Sequence, residues 1–372
     1  MTWAEWTAEA AQGIRDAGRW REPRDLDIVG PRGRIAATGQ AIVSFASNDY
    51  LGLTQHPAVT AAAHAAIDRW GAGSGSARLI VGSRPVHTEL EAAIAAWRGT
   101  ARAALFPTGF AANLGVMEAL ASRDAFICSD ELNHASIIDG TRLSRSETAI
   151  FPHRDLDALD AALGRAAGRR AVVVSDTVFS MDGDLADVDG LRTVCAEHGA
   201  LLVLDEAHAV LGPEVVTEDA DDVVRVGTLS KTLGALGGFV AGPARYVDLI
   251  VNRARSYIFT TASSPADAAA AVAAIGVLRS SEGPELRSRL RANVDRLRPG
   301  HPSPIVPILC GAEQVALDTA AALLARGMLV PAIRPPTVAP GTSRLRVALS
   351  AAHTTAEVDA LRAALSDLGH PA

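Results

Sequence analysis

The chain has 372 residues, more than one domain usually holds, so we expect a large domain and a smaller one. Hydrophobic residues make up 48% of it, but no run approaches the roughly 18–20 apolar residues of a membrane helix, and no membrane partner is expected. The net charge of −7 disfavours nucleic acid as a partner. Three widely spaced cysteines and an acidic start that is unlike a secretion signal predict a cytoplasmic protein with neither disulfides nor a metal site.

Between residues 100 and 242, short apolar strands alternate with helical patterns. Nearly continuous apolar character is typical of parallel strands that are covered on both faces. The alternation predicts an α/β fold with a doubly wound, mostly parallel sheet, whose ligands bind at the carboxyl ends of the strands. The predicted strands are Ala103–Phe106, Ala125–Cys128, Ala171–Asp176, Leu201–Asp205 and Val224–Leu229. The predicted helices are Phe110–Ala121, Ser136–Arg145, 155–167 and Asp187–His198.

The pattern changes after about residue 265 and predicts a smaller α+β domain. We therefore divide the chain into an N-terminal segment (1–45), a large domain (46–265) and a small C-terminal domain (266–372). The elements predicted in the small domain are helices 266–281, 284–297 and 313–326, strands 304–309 and Arg344–Leu349, and a terminal helix from Thr355.

A single lysine follows the predicted strand in VRVGTLSKTLGALGGFVAG (224–242). Lys231 stands just after the strand end, before a stretch rich in glycine. Burial lowers the pKa of an amine and makes it a nucleophile toward carbonyl groups. The alternative is a solvated turn lysine. The scarcity of lysine in this arginine-rich chain favours the nucleophile.

The segment LLVLDEAHAVLG (201–212) ends a predicted strand on Asp205. A buried carboxylate has to pair with a cation, and the protonated pyridine nitrogen of pyridoxal phosphate (PLP) is one such cation. His208, three positions later, is placed to bond the ring hydroxyl. A nucleotide hydrolase with Asp-Glu at a magnesium ion would need a G-x-x-x-x-G-K-[ST] loop, which the sequence lacks.

Three further segments offer candidate groups near the same strand ends. In LFPTGFAANLG (105–115), the start of a helix at Gly109-Phe110 is either a phosphate site or a plain strand–turn–helix connection. His134 either stacks over an aromatic ring or caps the helix that follows it. Ser180 lies in a loop after the strand that ends at Asp176, where its hydroxyl would meet the ring hydroxyl or a substrate carboxylate.

The ordered set of motifs resembles the alpha-oxoamine synthases, which are PLP enzymes of the fold type I transferase class. The resemblance covers nearly the whole chain, and the order of the motifs is far more specific than any one of them. The motifs are SNDYLGL (47–53), GSGSARLIVGSRPVHTELE (73–91), TGFAAN, NHAS, VFSMDGD, DEAH, TLSKTLG and IRPPTVAPGTSRLRVALSAAH (333–353).

The resemblance implies condensation of an amino acid with an acyl thioester followed by decarboxylation, in a homodimer with shared active sites. Lys231 would hold PLP as a Schiff base and then move the α-proton. The implied catalytic residues are Lys231, His134, Asp205 and His208. The implied cofactor-binding residues are Gly109, Phe110, His134, Ser180, Asp205, His208, Thr228 and Lys231. The implied substrate-binding residues are Arg19, Asn48, His134, Thr337 and Arg346.

Arg346 is the implied binder of the amino-acid carboxylate, for which a two-pronged guanidinium is suited. It alternates with apolar residues in SRLRVALS, so Arg344 and Arg346 share one face of a strand. The alternative is that this face is solvated. Near the N-terminus, Arg21 and Arg24 compete with Arg19 as the arginine that contacts the acyl substrate.

The C-terminal motif IRPPTVAPGTSRLR is most similar to family members that join L-alanine to a pimeloyl thioester in biotin synthesis. A glycine-using relative that makes 2-amino-3-oxobutyrate and a catalytically silent partner subunit are the alternatives. Silent subunits usually lack the Schiff-base lysine, which Lys231 supplies here. The acyl carrier, coenzyme A or a carrier protein, stays open. Two departures from the family, a compact stretch after DEAH and Asp176 in place of a glutamate, remove no catalytic group.

Overall fold

The computed structural model describes residues 1–166, 168–218 and 221–371. Over these ranges the helices are α1 (Trp3–Asp16), α2 (Pro57–Trp70), α3 (Pro85–Arg98), α4 (Gly109–Leu120), α5 (Ala135–Ser144), α6 (Leu156–Gly164), α7 (Val188–His198), α8 (Ala244–Arg253), α9 (Arg255–Ile258), α10 (Pro265–Arg279), α11 (Glu282–Leu297), α12 (Glu313–Ala325) and α13 (Thr355–Asp367). The strands are β1 (Leu26–Val29), β2 (Arg32–Ile35), β3 (Ala41–Ser44), β4 (Arg102–Phe106), β5 (Ala125–Asp130), β6 (Glu147–Phe151), β7 (Arg170–Asp176), β8 (Leu201–Asp205), β9 (Val223–Thr228), β10 (Gly238–Gly242), β11 (Ile305–Gly311), β12 (Met328–Leu329), β13 (Ala332–Ile333) and β14 (Ser343–Ala348).

The central element is a seven-stranded sheet in the order β4-β10-β9-β8-β7-β5-β6. Strands β5 to β9 run parallel, and β10 is antiparallel to both of its neighbours. The predicted doubly wound, mostly parallel sheet is therefore confirmed. Strand β10 was not predicted, because its two terminal glycines weaken a strand pattern. Strand β6, which keeps several residues exposed, was not predicted either.

Both faces of this sheet are buried. In β4, Ala103 and Leu105 join one hydrophobic cluster, whereas Ala104 and Phe106 join another on the opposite face. Successive side chains of a strand point to opposite faces, so a sheet covered on both sides needs apolar residues at every position. This is the continuous apolar character seen in the sequence.

The predicted strands and helices of this region lie within a few residues of the observed ones. The helix predicted at 155–167 is observed as α6, and its last predicted residue, 167, lies outside the described residues. In the C-terminal part, the predicted helices and strands correspond to α10 to α13 and to β11 and β14. Helix α10 buries its alanine-rich surface and contacts α2 and α3.

The N-terminal segment is attached to the C-terminal part of the chain. Strand β12 pairs in parallel with β3 and completes a sheet with β1 and β2. Arg32 also forms an ion pair with Glu357, with 2.6 Å between Nε and Oε1. The division at residues 45 and 265 stays a prediction. Within the described ranges, no helix has the length and hydropathy needed to cross a bilayer.

A buried cluster of three charges lies directly behind the end of β8. The Glu206 carboxylate accepts hydrogen bonds from Arg225 of β9, with 2.7 Å between Oε1 and Nη2. Its other oxygen lies 3.4 Å from Arg98 Nη1 at the end of α3. The Glu206 side chain is completely buried, so its charge depends on these two arginines. The cluster fixes the strand ends beside Asp205.

We predict that Glu206→Gln destabilises the protein by about 3–5 kcal/mol, because it leaves two buried guanidinium groups without a counter-charge. Urea unfolding measures the change. The matched control is Glu147→Gln, which removes an exposed carboxylate paired with Arg169 and should cost less than about 1 kcal/mol. Equal losses in the two variants would contradict the prediction.

Candidate active site

The carboxyl ends of the parallel strands meet at one edge of the sheet and border a cavity of about 240 Å³. Asp176 ends β7 and Asp205 ends β8, and the two residues are directly paired across the strands. All eight residues predicted to bind the cofactor line this cavity. Its lining residues are Thr108, Gly109, Phe110, Asn113, His134, Ser136, Asp176, Ser180, Asp205, Ala207, His208, Gly227, Thr228, Ser230 and Lys231.

The amine of Lys231 lies inside the cavity, which rules out the solvated turn. Its Nζ is 2.7 Å from His208 Nε2. Lys231 is the only lysine in the sequence. Burial lowers the pKa of this amine, although the carboxylates of Asp205 and Asp176 oppose the shift. The geometry thus provides one amine in the cavity, with a pKa below that of an ordinary lysine.

The Asp205 carboxylate is held by two donors. Its Oδ2 accepts from Asn113 Nδ2 at 2.6 Å, and its Oδ1 accepts from the backbone amide of Ala207 at 2.8 Å. Asn113 was missing from the predicted site, although it ends the motif TGFAAN. One helical turn after Gly109, it lies on the same face of α4, and that spacing was the available signal.

Asp176 is a second buried carboxyl group beside Asp205. Burial and the charge of Asp205 raise its pKa well above the ordinary value. One of its oxygens, Oδ2, accepts from the backbone amide of His134 at 3.0 Å. Asp176 was noted in the sequence as a polar residue at a strand end but was not among the predicted site residues, and the structure makes it part of the cavity wall.

The first turn of α4 and hydroxyl groups at the end of β9 also border the cavity. Thr108 caps α4 by accepting from the amide of Ala111. The Thr228 and Ser230 hydroxyl oxygens lie 2.7 Å apart. A Cβ on Gly109 would lie 3.2 Å from the Cβ of Thr228, so glycine keeps helix and strand end close together. Free amides at a helix start, together with hydroxyls, are suited to a phosphate.

His134 caps helix α5, which is one of its two predicted roles. Its Nδ1 lies 3.3 Å from the amide of Ser136 and 2.7 Å from the hydroxyl of that residue. The ring also lies in the cavity wall, with its edge toward Phe110 and 6.4 Å between the ring centres. Burial lowers the pKa of His134. Stacking on a cofactor stays a prediction.

Arg346 and Arg344 lie on the same face of β14, as predicted, and both are buried. The solvated-face alternative is therefore wrong. Arg346 donates from Nε to the backbone carbonyl of Ser180 at 2.5 Å and from Nη2 to Asn48 Oδ1 at 3.1 Å. Arg344 instead forms an ion pair with Asp182. Only Arg346 of these two is bonded to a residue that lines the cavity.

The donor set fits PLP. An amine, a buried carboxylate, an imidazole and a helix N-terminus flanked by hydroxyls line one cavity, and these are groups suited to the aldehyde, ring nitrogen, ring hydroxyl and phosphate of PLP. A side chain at position 109 would crowd Thr228, so glycine suits the close approach of helix and strand at this part of the cavity. Among the described residues, no group of histidine, cysteine and acidic side chains forms a metal site.

The model of the aminotransferase class I and II family matches residues 40–365. An 8-amino-7-oxononanoate synthase from Anaeromyxobacter dehalogenans is 47% identical over 98% of this chain and 94% of its own length. The chain belongs to the 8-amino-7-oxononanoate synthases of the class I and II aminotransferase family. The resemblance inferred from the motifs is therefore confirmed.

Solved structures agree with this family in fold. A serine palmitoyltransferase from S. paucimobilis, with a bound PLP–myriocin aldimine, matches with a TM-score of 0.89 and 30% identity over 98% of this chain and 97% of that chain. An 8-amino-7-oxononanoate synthase from Francisella tularensis matches with a TM-score of 0.72 and 25% identity over 88% of this chain and 96% of that chain. These matches confirm the predicted fold type I architecture.

Of the five predicted substrate-binding residues, only His134 lines the cavity. Arg346 and Asn48 lie behind the lining and are bonded to each other, whereas Arg19 and Thr337 lie elsewhere. Arg19 is ion-paired with Glu313 of α12 at 2.9 Å and keeps 42% of its side chain exposed. Thr337 is exposed in a turn, where its amide donates to the carbonyl of Arg334. Arg21 and Arg24 are also exposed. Contact of Arg19 and Thr337 with an acyl substrate stays a prediction.

The loop that carries Ser180 is anchored by His153. The imidazole bonds Asp184 of the loop through Nε2 at 2.7 Å and Asp130 at the end of β5 through Nδ1 at 3.1 Å. Burial alone would lower the pKa of His153, but the two carboxylates outweigh burial and raise it to about 9. The ring edge packs against Phe179. A protonated histidine thus connects the loop to the sheet.

We predict that the free energy of unfolding falls as the pH rises from about 6.5 to about 9. The folded pKa lies above the ordinary value of 6.5, so the stabilisation is complete below pH 6.5 and is lost as His153 deprotonates. Urea unfolding at several pH values measures the slope in the wild type and in His153→Phe, which should flatten it. His64→Gln, at an exposed position on α2, is the control, and a slope that survives in His153→Phe would contradict the assignment.

Proposed function

We propose that this chain catalyses the PLP-dependent condensation of L-alanine with a pimeloyl thioester, releasing carbon dioxide and free thiol and giving 8-amino-7-oxononanoate for biotin synthesis. The observation that carries the proposal is that the only lysine of the chain lies in one cavity with Asp205 and His208. Full-length relatives named 8-amino-7-oxononanoate synthase support the choice of substrates.

The cofactor proposed for the cavity is PLP, which supplies an electron sink for the bonds broken at the amino-acid α-carbon. Lys231 would hold it covalently, and Asp205 would keep its ring nitrogen protonated. Asn113 would support this role by orienting the Asp205 carboxylate. His208 and Ser180 would contact the ring hydroxyl, and His134 would lie on the ring face. Gly109, Phe110 and Thr228 would hold the phosphate.

Lys231 is proposed to take and return the α-proton of the amino acid. A general base works best when its pKa lies near the working pH, and burial lowers the pKa of Lys231 in that direction. The contact with His208 Nε2 at 2.7 Å fixes where the amine points. The burial of His208 lowers its own pKa far below the ordinary value, so it stays neutral and does not repel the ammonium form of Lys231.

Arg346 and Asn48 are proposed to bind the carboxylate of L-alanine. A guanidinium has five N–H donors, and Arg346 uses Nε and Nη2 toward Ser180 and Asn48. It also faces the Tyr50 hydroxyl, and its remaining donors are proposed to bind the carboxylate. Because the arginine is buried in β14, the contact would be strong and directional. Arg19 and Thr337 are proposed to act on the acyl side, whether the thiol belongs to coenzyme A or to a carrier protein.

Because the chain also matches a serine palmitoyltransferase in structure, the amino-acid substrate has to be tested directly. Thiol release with L-alanine, glycine and L-serine, each with pimeloyl thioester, separates the proposed reaction from those of its relatives. A strong preference for glycine or serine would contradict the substrate but not the cofactor. We further propose a cytoplasmic homodimer whose active sites are shared between subunits.

We predict that Lys231→Ala keeps the fold but loses covalent PLP and lowers turnover by at least about 10²–10⁴-fold, the usual contribution of a general acid–base group. Thiol release measures turnover, and borohydride reduction followed by mass spectrometry measures the covalent cofactor. Lys231→Arg is the matched control: it keeps the positive charge, but its pKa is too high for proton transfer, so it should be equally inactive. Turnover near that of the wild type in either variant would refute the proposal.

We predict that Arg346→Ala raises the apparent binding constant for L-alanine by well over tenfold, because removing one partner of a buried charged pair costs about 2–5 kcal/mol. Arg344→Ala should have a much smaller effect, since Arg344 is paired with Asp182. The affinity for PLP should barely change in either variant. Titration of L-alanine, followed by the absorbance of the bound cofactor, measures all three proteins. Equal and small effects would leave the carboxylate without this partner.

A further inference from the structure

Tyr50 is a buried residue of the motif SNDYLGL that the proposed reaction does not use. Its side chain is inaccessible to solvent, and its hydroxyl lies near Asn48, His208 and the guanidinium of Arg346, which can only donate to it. The hydroxyl oxygen lies 3.0 Å from Asn48 Oδ1 and 2.6 Å from His208 Nδ1. Burial raises the pKa of Tyr50 to about 12, so the hydroxyl keeps its proton. This one proton can serve either Asn48 or His208, but not both.

The direction of these hydrogen bonds follows from Arg346. A guanidinium has no acceptor, so the Asn48 atom that faces Arg346 Nη2 at 3.1 Å must be the amide oxygen. The same oxygen faces the Tyr50 hydroxyl, and it cannot donate. Tyr50 therefore has to donate its proton to Asn48. Otherwise two oxygen lone pairs would face each other at 3.0 Å.

The tautomer of His208 follows in turn. Because the Tyr50 proton is directed at Asn48, the contact with His208 requires a proton on Nδ1 that is donated to the Tyr50 oxygen. Neutral histidine carries one ring proton, so Nε2 is left as an acceptor. Nε2 is the atom that lies 2.7 Å from Lys231 Nζ. An unbroken series of donors and acceptors thus runs from the proposed carboxylate site to the amine.

We propose that Tyr50 is a positioning residue that fixes His208 in the Nδ1–H tautomer and keeps its Nε2 as an acceptor toward Lys231. The same acceptor would face the ring hydroxyl of bound PLP. Orientation of a functional imidazole through its other nitrogen is a common device in enzyme sites. The tautomer of His208 is a property of the chain itself. Only the expected effect on kcat rests on the proposed function.

Nitrogen NMR of full-length protein labelled on histidine and freed of cofactor tests the tautomer directly. The His208 signals are assigned by their loss in His208→Asn. We expect Nδ1–H in the wild type, a mixture of tautomers in Tyr50→Phe, and Nε2–H in Asn48→Ala, where Tyr50 is free to donate to Nδ1. Tyr246→Phe, which removes a hydroxyl bonded to Asp222 at the surface, should match the wild type. Nε2–H in the wild type would overturn the proposal, even if the variants failed to fold.

The kinetic test uses the holoenzyme. Tyr50→Phe should lower kcat by roughly tenfold, the usual effect of losing one buried hydrogen bond, with little change in the KM for L-alanine because Arg346 is intact. A change in KM alone, or an unaltered His208 tautomer in Tyr50→Phe, would reduce Tyr50 to a packing role and refute the proposal. If the wild-type tautomer is Nδ1–H but L-alanine is not a substrate, the proposed function fails while the positioning role of Tyr50 stands.

Discussion

Two buried carboxyl groups at the ends of adjacent parallel strands determine the chemistry of this site. Asp176 and Asp205 are directly paired, and two negative charges at this distance in a buried place are unfavourable unless one is protonated or a cation lies near. The raised pKa of Asp176 and the nearby amine of Lys231 both reduce the repulsion between the two carboxylates. A protonated ring nitrogen would reduce it further. The cavity therefore favours a cationic, covalently held cofactor.

Much of this arrangement is readable from the sequence, because it rests on local signals. Apolar strands such as Leu201–Asp205 were predicted with their observed bounds, and parallel strands place their carboxyl ends at one edge. All the predicted cofactor-binding residues line one cavity for this reason. The motif order then supplied the family, which composition and periodicity alone would not have indicated.

The rest depends on contacts between distant parts of the chain. Tyr50 and His208 are 158 positions apart, and Asn48 and Arg346 are 298 positions apart, so no local pattern links them. The pairing of β3 with β12 is another such contact, and it connects the N-terminal segment to the C-terminal part. Strand β10 was not predicted because its glycines have a weak strand propensity. Burial within the sheet stabilises it nevertheless.

A chain with one lysine has a single ε-amino group, and here that group lies in the cavity. A lysine-specific protease has one bond to cut in this sequence, after Lys231, and cleavage needs the surrounding turn to open. The rate of that single cut, which yields two fragments, therefore measures the local opening of the site without any engineered probe. Amine-directed coupling likewise has only two targets, the chain terminus and Lys231. When the Lys231 amine is already bonded to a cofactor, coupling to a surface can take place only through the chain terminus. The cavity then stays unmodified.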